Sequence, residues 1–308
     1  MPKLIRSKYN RIMHLPCVVC DSWDATTRYT YHHDRQSSDI LQCASCTHMF
    51  IHPVPLTSLS SRNMHSLSDA ELFQNQFLKF LYEKLVINKE IRHVKKLITN
   101  PRPSLLDIGC GTGWTTSIWQ KSGFSVTGLE PSENRSLFGQ NIYGINIVRS
   151  CFEDYQPGEQ FDVIILRHIL EHISDPCTFL TRIKSFLKKD GVLVIVIPNI
   201  DSIGRYLFNE NWEWVLPWHL HFYKPKTLSR LIQKVCYKIL RFYQMPSPLW
   251  YPASLSRFFG RETRLARFLS QKPTLANLAL FTPIILAGIL LDLNDHMTLI
   301  VANHDSTK

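Results

Sequence analysis

The run Leu105-Leu106-Asp107-Ile108-Gly109-Cys110-Gly111-Thr112-Gly113 constrains this chain more than any other stretch. A short apolar strand runs into three glycines at alternate positions, and a helical pattern from Gly113 to Ser122 follows. Glycine lets the main chain approach a ligand closely, and a helix start offers unpaired N–H donors. The same theme repeats downstream. "FSVTGLE" (124–130) reads as a second strand and 132–140 as a helix; "INIVRS" (145–150) is a third strand and "FDVIILR" (161–167) a fourth. A helix from Pro176 to Lys189 and a strand "GVLVIVIPN" (191–199) complete the series. Apolar, β-branched strands alternating with helices predict an α/β fold, a parallel sheet with helices on both faces. Glu130 ends the second strand 21 residues after Gly109, where an acid typically takes ribose hydroxyls. The third glycine falls one residue early for the dinucleotide spacing, so an NAD-binding oxidoreductase is only a rival reading.

These residues resemble the class I S-adenosylmethionine-dependent methyltransferases. The resemblance continues through "VTGLEPS", "FEDY" and "FDVIILRHILEHISDP" and spans about residues 100–240. It implies a Rossmann-like seven-stranded sheet closed by an antiparallel hairpin, for which "YKILRFYQ" (237–244) and "HMTLIVANH" (296–304) are suited. It also implies S-adenosylmethionine as cofactor. Asp107 and the turn Gly109, Cys110, Gly111 and Gly113 would face its methionine part. Glu130, followed by Pro131, would take the ribose, Cys151, Phe152 and Glu153 would lie near the adenine, and Arg167 belongs to the same cofactor-facing set. For Cys151 and Phe152, plain pocket lining is the competing reading.

"LRHILEHISDP" (166–176) first reads as a zinc-protease signature, H-x-x-E-H. Its context argues otherwise. His168 follows a strand, where ligands of open α/β sheets bind, and Asp175-Pro176 suits a helix start. The run looks most like a branch containing the ubiquinone-biosynthesis O-methyltransferases. By that likeness His168, Glu171 and His172 orient or deprotonate the acceptor, brace the loop, or bind a metal. "PWHLHFYKPKTL" (217–228) is the second family-like run. His219 and His221 share a face if it is extended, and either is a candidate base. Trp212, Trp214 and Trp218 line an acceptor site or anchor a loop.

Cys17-x2-Cys20 and Cys43-x2-Cys46 can form an all-sulfur tetrahedral site, which predicts a small N-terminal zinc ribbon with a structural ion. His48 and His52 then read as loop residues. "HPVPLTS" (52–58) is a linker, and a helical pattern from about Asp69 to Ile98 precedes the main domain. The expected units are a ribbon-like module at 1–55, a linker and packing helix at 56–100, a methyltransferase core at 101–244, an insertion at 245–293 and a last strand at 294–308.

The net charge is +10, and the segment from Lys224 to Lys272 holds eleven Lys/Arg against Glu262 alone. That local excess predicts an anionic partner. The helical insertion before the last strand also carries "LANLALFTPIILAGILL" (275–291), without a charge. Together they predict contact with an anionic membrane surface, against a helical cap on the protein itself; nucleic acid leaves the apolar run unexplained. The N-terminus lacks an apolar run of signal length, so a cytoplasmic chain, peripheral on the membrane, is expected. The leading functional expectation is O-methylation of a sugar, polysaccharide precursor or lipid-linked acceptor. C-methylation of a nucleotide sugar and a ribbon-based nucleic-acid-binding protein are the alternatives.

Overall fold

The computed structural model describes residues 3–6, 12–33, 36–55, 76–246, 251–259 and 275–304. The N-terminal part holds strands β1 (Lys3–Arg6), β2 (Ile12–His14), β3 (Asp24–His33), β4 (Gln36–Cys43) and β5 (Met49–His52). Helices α1 (Gln76–Tyr82) and α2 (Asn88–Lys95) follow, joined by a π-helical turn over Glu83–Ile87. Then come β6 (Ser104–Ile108), α3 (Trp114–Lys121), β7 (Ser125–Leu129), α4 (Glu133–Tyr143), β8 (Asn146–Val148), β9 (Phe161–Arg167), α5 (Pro176–Phe186) and β10 (Leu187–Pro198). The last part holds α6 (Ile203–Phe208), β11 (His221–Phe222), α7 (Pro225–Lys234), β12 (Tyr237–Met245), α8 (Tyr251–Phe258), α9 (Leu275–Leu290) and β13 (His296–Asn303).

The large sheet has the order β12-β13-β10-β9-β6-β7-β8, with β13 antiparallel to both neighbours and the other pairs parallel. From β6 the chain winds outward through β7 and β8, then returns to β9 on the other side of β6. A crevice therefore opens between the carboxyl ends of β6 and β9. Strand alternation divides the core between two faces. Leu106, Ile108, Ile164, Leu166, Leu193 and Ile195 pack on α5 and α7, while Leu105, Val163, Ile165, Val192 and Val194 pack on α2 and α3. Each fully buried side chain of this kind stabilises by roughly 1.5–3 kcal/mol before the cost of ordering.

Helix ends follow local chemistry. The Asp175 carboxylate accepts from Thr178 N at 3.1 Å and Pro176 fills the first turn of α5. Gly144, at φ +63°, ends α4. One boundary differs from expectation: α5 stops at Phe186 and β10 begins at Leu187. Leu187 pairs with Phe161, and the register shifts before Val192 pairs with Val163. Lys188, Lys189 and Asp190 thus sit in an irregular strand entry, although their polarity reads as a helix end.

The N-terminal strands form a second, antiparallel sheet, β1-β3-β4-β5-β11 with β2 on β3. Its last strand comes from the segment between β10 and β12 of the large sheet: His221 pairs with Phe50 and Phe222 with Met49. Cys17, Val19 and Cys43 share one apolar cluster with Tyr223, Leu228 and Leu231. The cysteine module is therefore built into the main core, whereas its sequence reads as a separate ribbon. The expected packing helix is present over 76–95, and its upstream part lies outside the described residues. The insertion contributes α8 and α9, both packed on α6. α9 continues through Pro283. Among the described residues no helix is long and apolar enough to cross a membrane.

Candidate active site and four-cysteine centre

Gly109, Gly111 and Gly113 all have positive φ, +70°, +59° and +72°. The turn folds back on β7: Gly109 N and Cys110 N both donate to Leu129 O. Asp107, at the end of β6, is buried and accepts from the Thr116 hydroxyl at 2.6 Å. Glu130 is buried as well, accepting from Gly111 N at 3.1 Å and Ser132 N at 2.9 Å, with Arg135 at 3.5 Å. The expected ribose acid is thus held rigidly against the glycine turn. Cys110 turns its side chain down against Gly128, where a Cβ would meet its sulfur at 2.6 Å. Burial, reinforced by Asp107 and Glu130, raises its thiol pKa, so it packs as a thiol. Pro131 and Glu153 are exposed and Cys151 is half-buried. Phe152 is set edge-on to Phe179 and tilted against Phe186, with the Arg182 guanidinium over its ring, and forms core.

β9 ends at Arg167, whose guanidinium pairs with the fully buried Glu90 of α2. This partner balances the largely enclosed cation, and Glu90 carries no sequence signal beyond being an acid on an amphipathic helix. His168 follows at φ +55°, a rare conformation that bends the chain off the sheet. The loop then lies directly over the glycine turn: a Cβ on Gly109 would sit 2.2 Å from Ile169 Cδ1. Protease geometry is absent, because Leu170–His172 is one 3-10 turn at a strand end.

Around this loop the structure gathers an aromatic and imidazole cluster. His168 stacks on Trp214, with centroids 4.9 Å apart and planes at 11°. Trp214 also stacks on His219 at 6.0 Å, and His172 meets His219 edge-on at 4.8 Å. His296, from the start of β13, touches both His168 and Trp214, at 4.9 and 4.8 Å. Sequence reading misses His296, since nothing in a strand-start histidine indicates which distant loop it will meet. Backbone carbonyls fix two rings: His172 Nδ1 lies 2.9 Å from Trp218 O and His219 Nδ1 2.8 Å from Trp214 O. His168 Nδ1 lies 3.3 Å from Glu171 Oε1, and the other oxygen, Oε2, is buried without a hydrogen-bond partner among the described residues. Burial raises the Glu171 pKa to about 7, opposed by His172. His296 is pushed well below the usual value by burial and by His168 and Arg167. The ligand atoms of Glu171, His172 and His219 lie within 4.8 Å of one another, close enough to share a cation.

His221 is placed elsewhere, at the junction with the N-terminal sheet. Its Nδ1 is 3.1 Å from His48 Nε2, and burial holds its pKa down to about 4. His48, expected in a loop, is completely buried. Of the three tryptophans, Trp212 and Trp214 are buried and anchor the segment, while Trp218 is half-buried.

Cys17, Cys20, Cys43 and Cys46 converge, with all sulfurs within 4.8 Å of one another. Cys17 and Cys46 Sγ are 3.6 Å apart, Cys20 and Cys43 Sγ 3.5 Å. A tetrahedron of Zn–S bonds has edges of about 3.8 Å, so the set fits zinc. Burial raises the Cys17 pKa to about 11, whereas backbone N–H groups of Cys46 and Ser45 overcome burial at Cys43 and bring it to about 7. A cation is what would let four crowded thiols ionise together. A surface hollow of about 500 Å³ lined by Lys184, Lys189, Cys236, Asn303 and His304 lies at the amino ends of the strands and shares no residue with either centre.

Residues 81–241 match the family described as "Methyltransferase domain". A ubiquinone biosynthesis O-methyltransferase of Rhodopseudomonas palustris is 26% identical over 132 residues, 41% of this chain and 52% of that protein. One from Bradyrhizobium sp. is 29% identical over 132 residues, again 41% and 52%. The chain spans about half the length of the curated relatives it matches. A putative sarcosine dimethylglycine methyltransferase from Galdieria sulphuraria has the same fold, with a TM-score of 0.52 at 16% identity, covering 78% of this chain and 92% of that one.

Proposed function

The chain belongs to the methyltransferase-domain family, among the class I S-adenosylmethionine-dependent methyltransferases, and on that premise we propose that it methylates a hydroxyl of a sugar, polysaccharide precursor or lipid-linked acceptor. The observation that carries this reading is the contact between the two halves of the site. The loop bearing His168 and Glu171 lies on the glycine turn, so acceptor groups and cofactor meet at one point. S-adenosylmethionine, when bound, supplies an electrophilic methyl group. The chain's residues do the rest. Asp107, Glu130 and the turn hold the cofactor, and the buried cluster around Trp214 excludes water. Glu171 Oε2 would take the hydroxyl proton released when the acceptor oxygen is methylated. A carboxyl with pKa about 7 is matched to that task near neutral pH. The hydroxyl preference also follows the names of the curated relatives, and the sugar or lipid class follows the family likeness. Native sugar and lipid extracts incubated with methyl-labelled cofactor test it. Label in an alkali-stable methyl ether is expected; label on carbon favours the nucleotide-sugar C-methylation alternative and overturns the hydroxyl reading.

Glu171 also gives a pH signature. Its folded pKa lies above the ordinary carboxyl value of about 4.3, so its contribution to stability is full below about pH 4 and is lost as pH rises to about 7. The melting temperature of Glu171→Gln relative to the parent is therefore expected to rise between about pH 4.5 and 7 and stay level above. Parallel curves across that range contradict the raised pKa.

The zinc in the four-cysteine centre is structural in this reading, since four protein sulfurs leave no open position. The apolar outer face of α9 supports a membrane-surface location. Leu280, Leu286, Ile289 and Leu290 of α9 and Leu291 just after it are all at least half exposed, as are Tyr206 and Leu207 of the neighbouring α6. The charge excess from Lys224 to Lys272 favours anionic head groups. Flotation with phosphatidylserine vesicles is expected for the full chain and lost in Leu286→Asp/Leu290→Asp. No flotation of the parent contradicts it.

A further inference from the structure

Four observations join the N-terminal sheet to the acceptor loop. The first is apolar: Tyr29, Ile40, Met49 and Ile51 pack in one cluster with Trp212, Trp214 and Val215. Trp214 is the ring on which His168 stacks, so the sheet underlies the wall of the acceptor site. The second is a continuous backbone ladder. Ile51 N donates to Leu220 O at 2.9 Å, and Leu220 N donates to Glu171 O at 2.7 Å. One residue thus bridges β5 to the proposed proton acceptor. The third is the buried imidazole pair. His48 Nε2 and His221 Nδ1 are 3.1 Å apart, one residue along from that bridge, and His48 also packs on Tyr223 at 5.0 Å. The fourth ties His48 to the cysteines: Cys43 N donates to His48 O at 2.9 Å, closing the turn that carries Cys43 and Cys46.

We propose that the four-cysteine sheet is a wall of the acceptor site, and that His48 is a positioning residue which fixes the Glu171 loop through His221 and Leu220. The proposal rests on the methyl-transfer reading for what the loop does, and on geometry alone for what holds it. His48 touches no acceptor; it acts through His221. If it is removed, His221 Nδ1 loses its partner inside the core, and β11 loses the side-chain contact that supplements its backbone pairing with β5. The segment from His219 to Phe222 is then free to shift, and Leu220 draws Glu171 with it. The glycine turn has no part in this chain of contacts and keeps its place. An appended ribbon would behave differently, loosening within itself and leaving the loop unchanged.

Amide hydrogen exchange on the full-length, metal-loaded protein tests this, paired with S-adenosylhomocysteine titration. In His48→Ala, amides of Leu220, His172 and Ile173 are expected to exchange about fivefold faster or more. Those from Leu105 to Ile118 are expected to hold, with S-adenosylhomocysteine affinity within about twofold of the parent. His48→Gln places an amide near the position of Nε2 and is expected to restore slow exchange. His48→Asn has a similar polarity but a shorter reach, and is expected to stay fast; it replaces the alanine variant if that chain does not fold. Unchanged exchange at Leu220, His172 and Ile173, or equal rates in the glutamine and asparagine variants, overturns the proposal. A parent protein that binds no S-adenosylhomocysteine overturns the methyl-transfer reading instead, and the exchange comparison still decides the coupling.

Discussion

Cys43→Ser is expected to lose the zinc proposed for the four-cysteine centre and to melt about 10 °C below the parent. The argument starts from place. Cys17 and Cys43 are each only 1% exposed and share a cluster with Leu228, Leu231 and Tyr223. Cys43 also anchors both ends of its turn, since its N–H donates to His48 O and its carbonyl accepts from Thr47 N. Serine at this position supplies a poor zinc ligand and a hydroxyl that enters an apolar cluster. Loss of a metal belongs to the class of changes costing about 4 kcal/mol or more, and each kcal/mol shifts the midpoint by about 2–4 °C in a domain of this size. Differential scanning calorimetry with zinc analysis checks both. An intact melting point after complete zinc loss contradicts the claim that the centre is part of the core.

Gly109→Val is expected to weaken S-adenosylhomocysteine binding at least 100-fold. Two causes add. The position has φ +70°, which a β-branched residue adopts only with strain of order 1–3 kcal/mol. Its Cβ also falls 2.2 Å from Ile169 Cδ1, so the loop above must lift off the turn. A combined loss near 3 kcal/mol is about 100-fold in affinity. Adding Ile169→Ala relieves the contact and leaves the backbone strain, so partial recovery is expected in the double variant. Calorimetric titration of the parent and both variants measures this. Equal affinities in all three mean the turn does not carry the cofactor.

The part of the fold that a local pattern can specify is legible in the sequence. Strand, glycine turn and helix at 104–121, the acid at Glu130, the strand end before His168 and the Asp175-Pro176 cap all depend on neighbours within a few residues. The paired Cys-x2-Cys runs are legible for the same reason. What escapes is decided by distant partners. β11 is two residues long and pairs with a strand whose residues lie some 170 positions earlier, so no periodicity marks it. His48 reads as a loop residue because its burial comes from His221 and Tyr223. His296 joins His168 only because β13 returns beside β10. Phe152 follows the family pattern into the cofactor region, yet its ring is taken by Phe179 and Phe186. A shared run of sequence places a backbone, while the packing around it decides which way a side chain turns.

The central claim is that the crevice at the carboxyl ends of β6 and β9 takes S-adenosylmethionine. Isothermal titration of the full-length protein with S-adenosylhomocysteine, repeated with NAD, tests it most directly. The predicted result is one S-adenosylhomocysteine per chain at micromolar affinity and no heat from NAD. Saturable binding of NAD, or no binding of S-adenosylhomocysteine by folded protein, would contradict it.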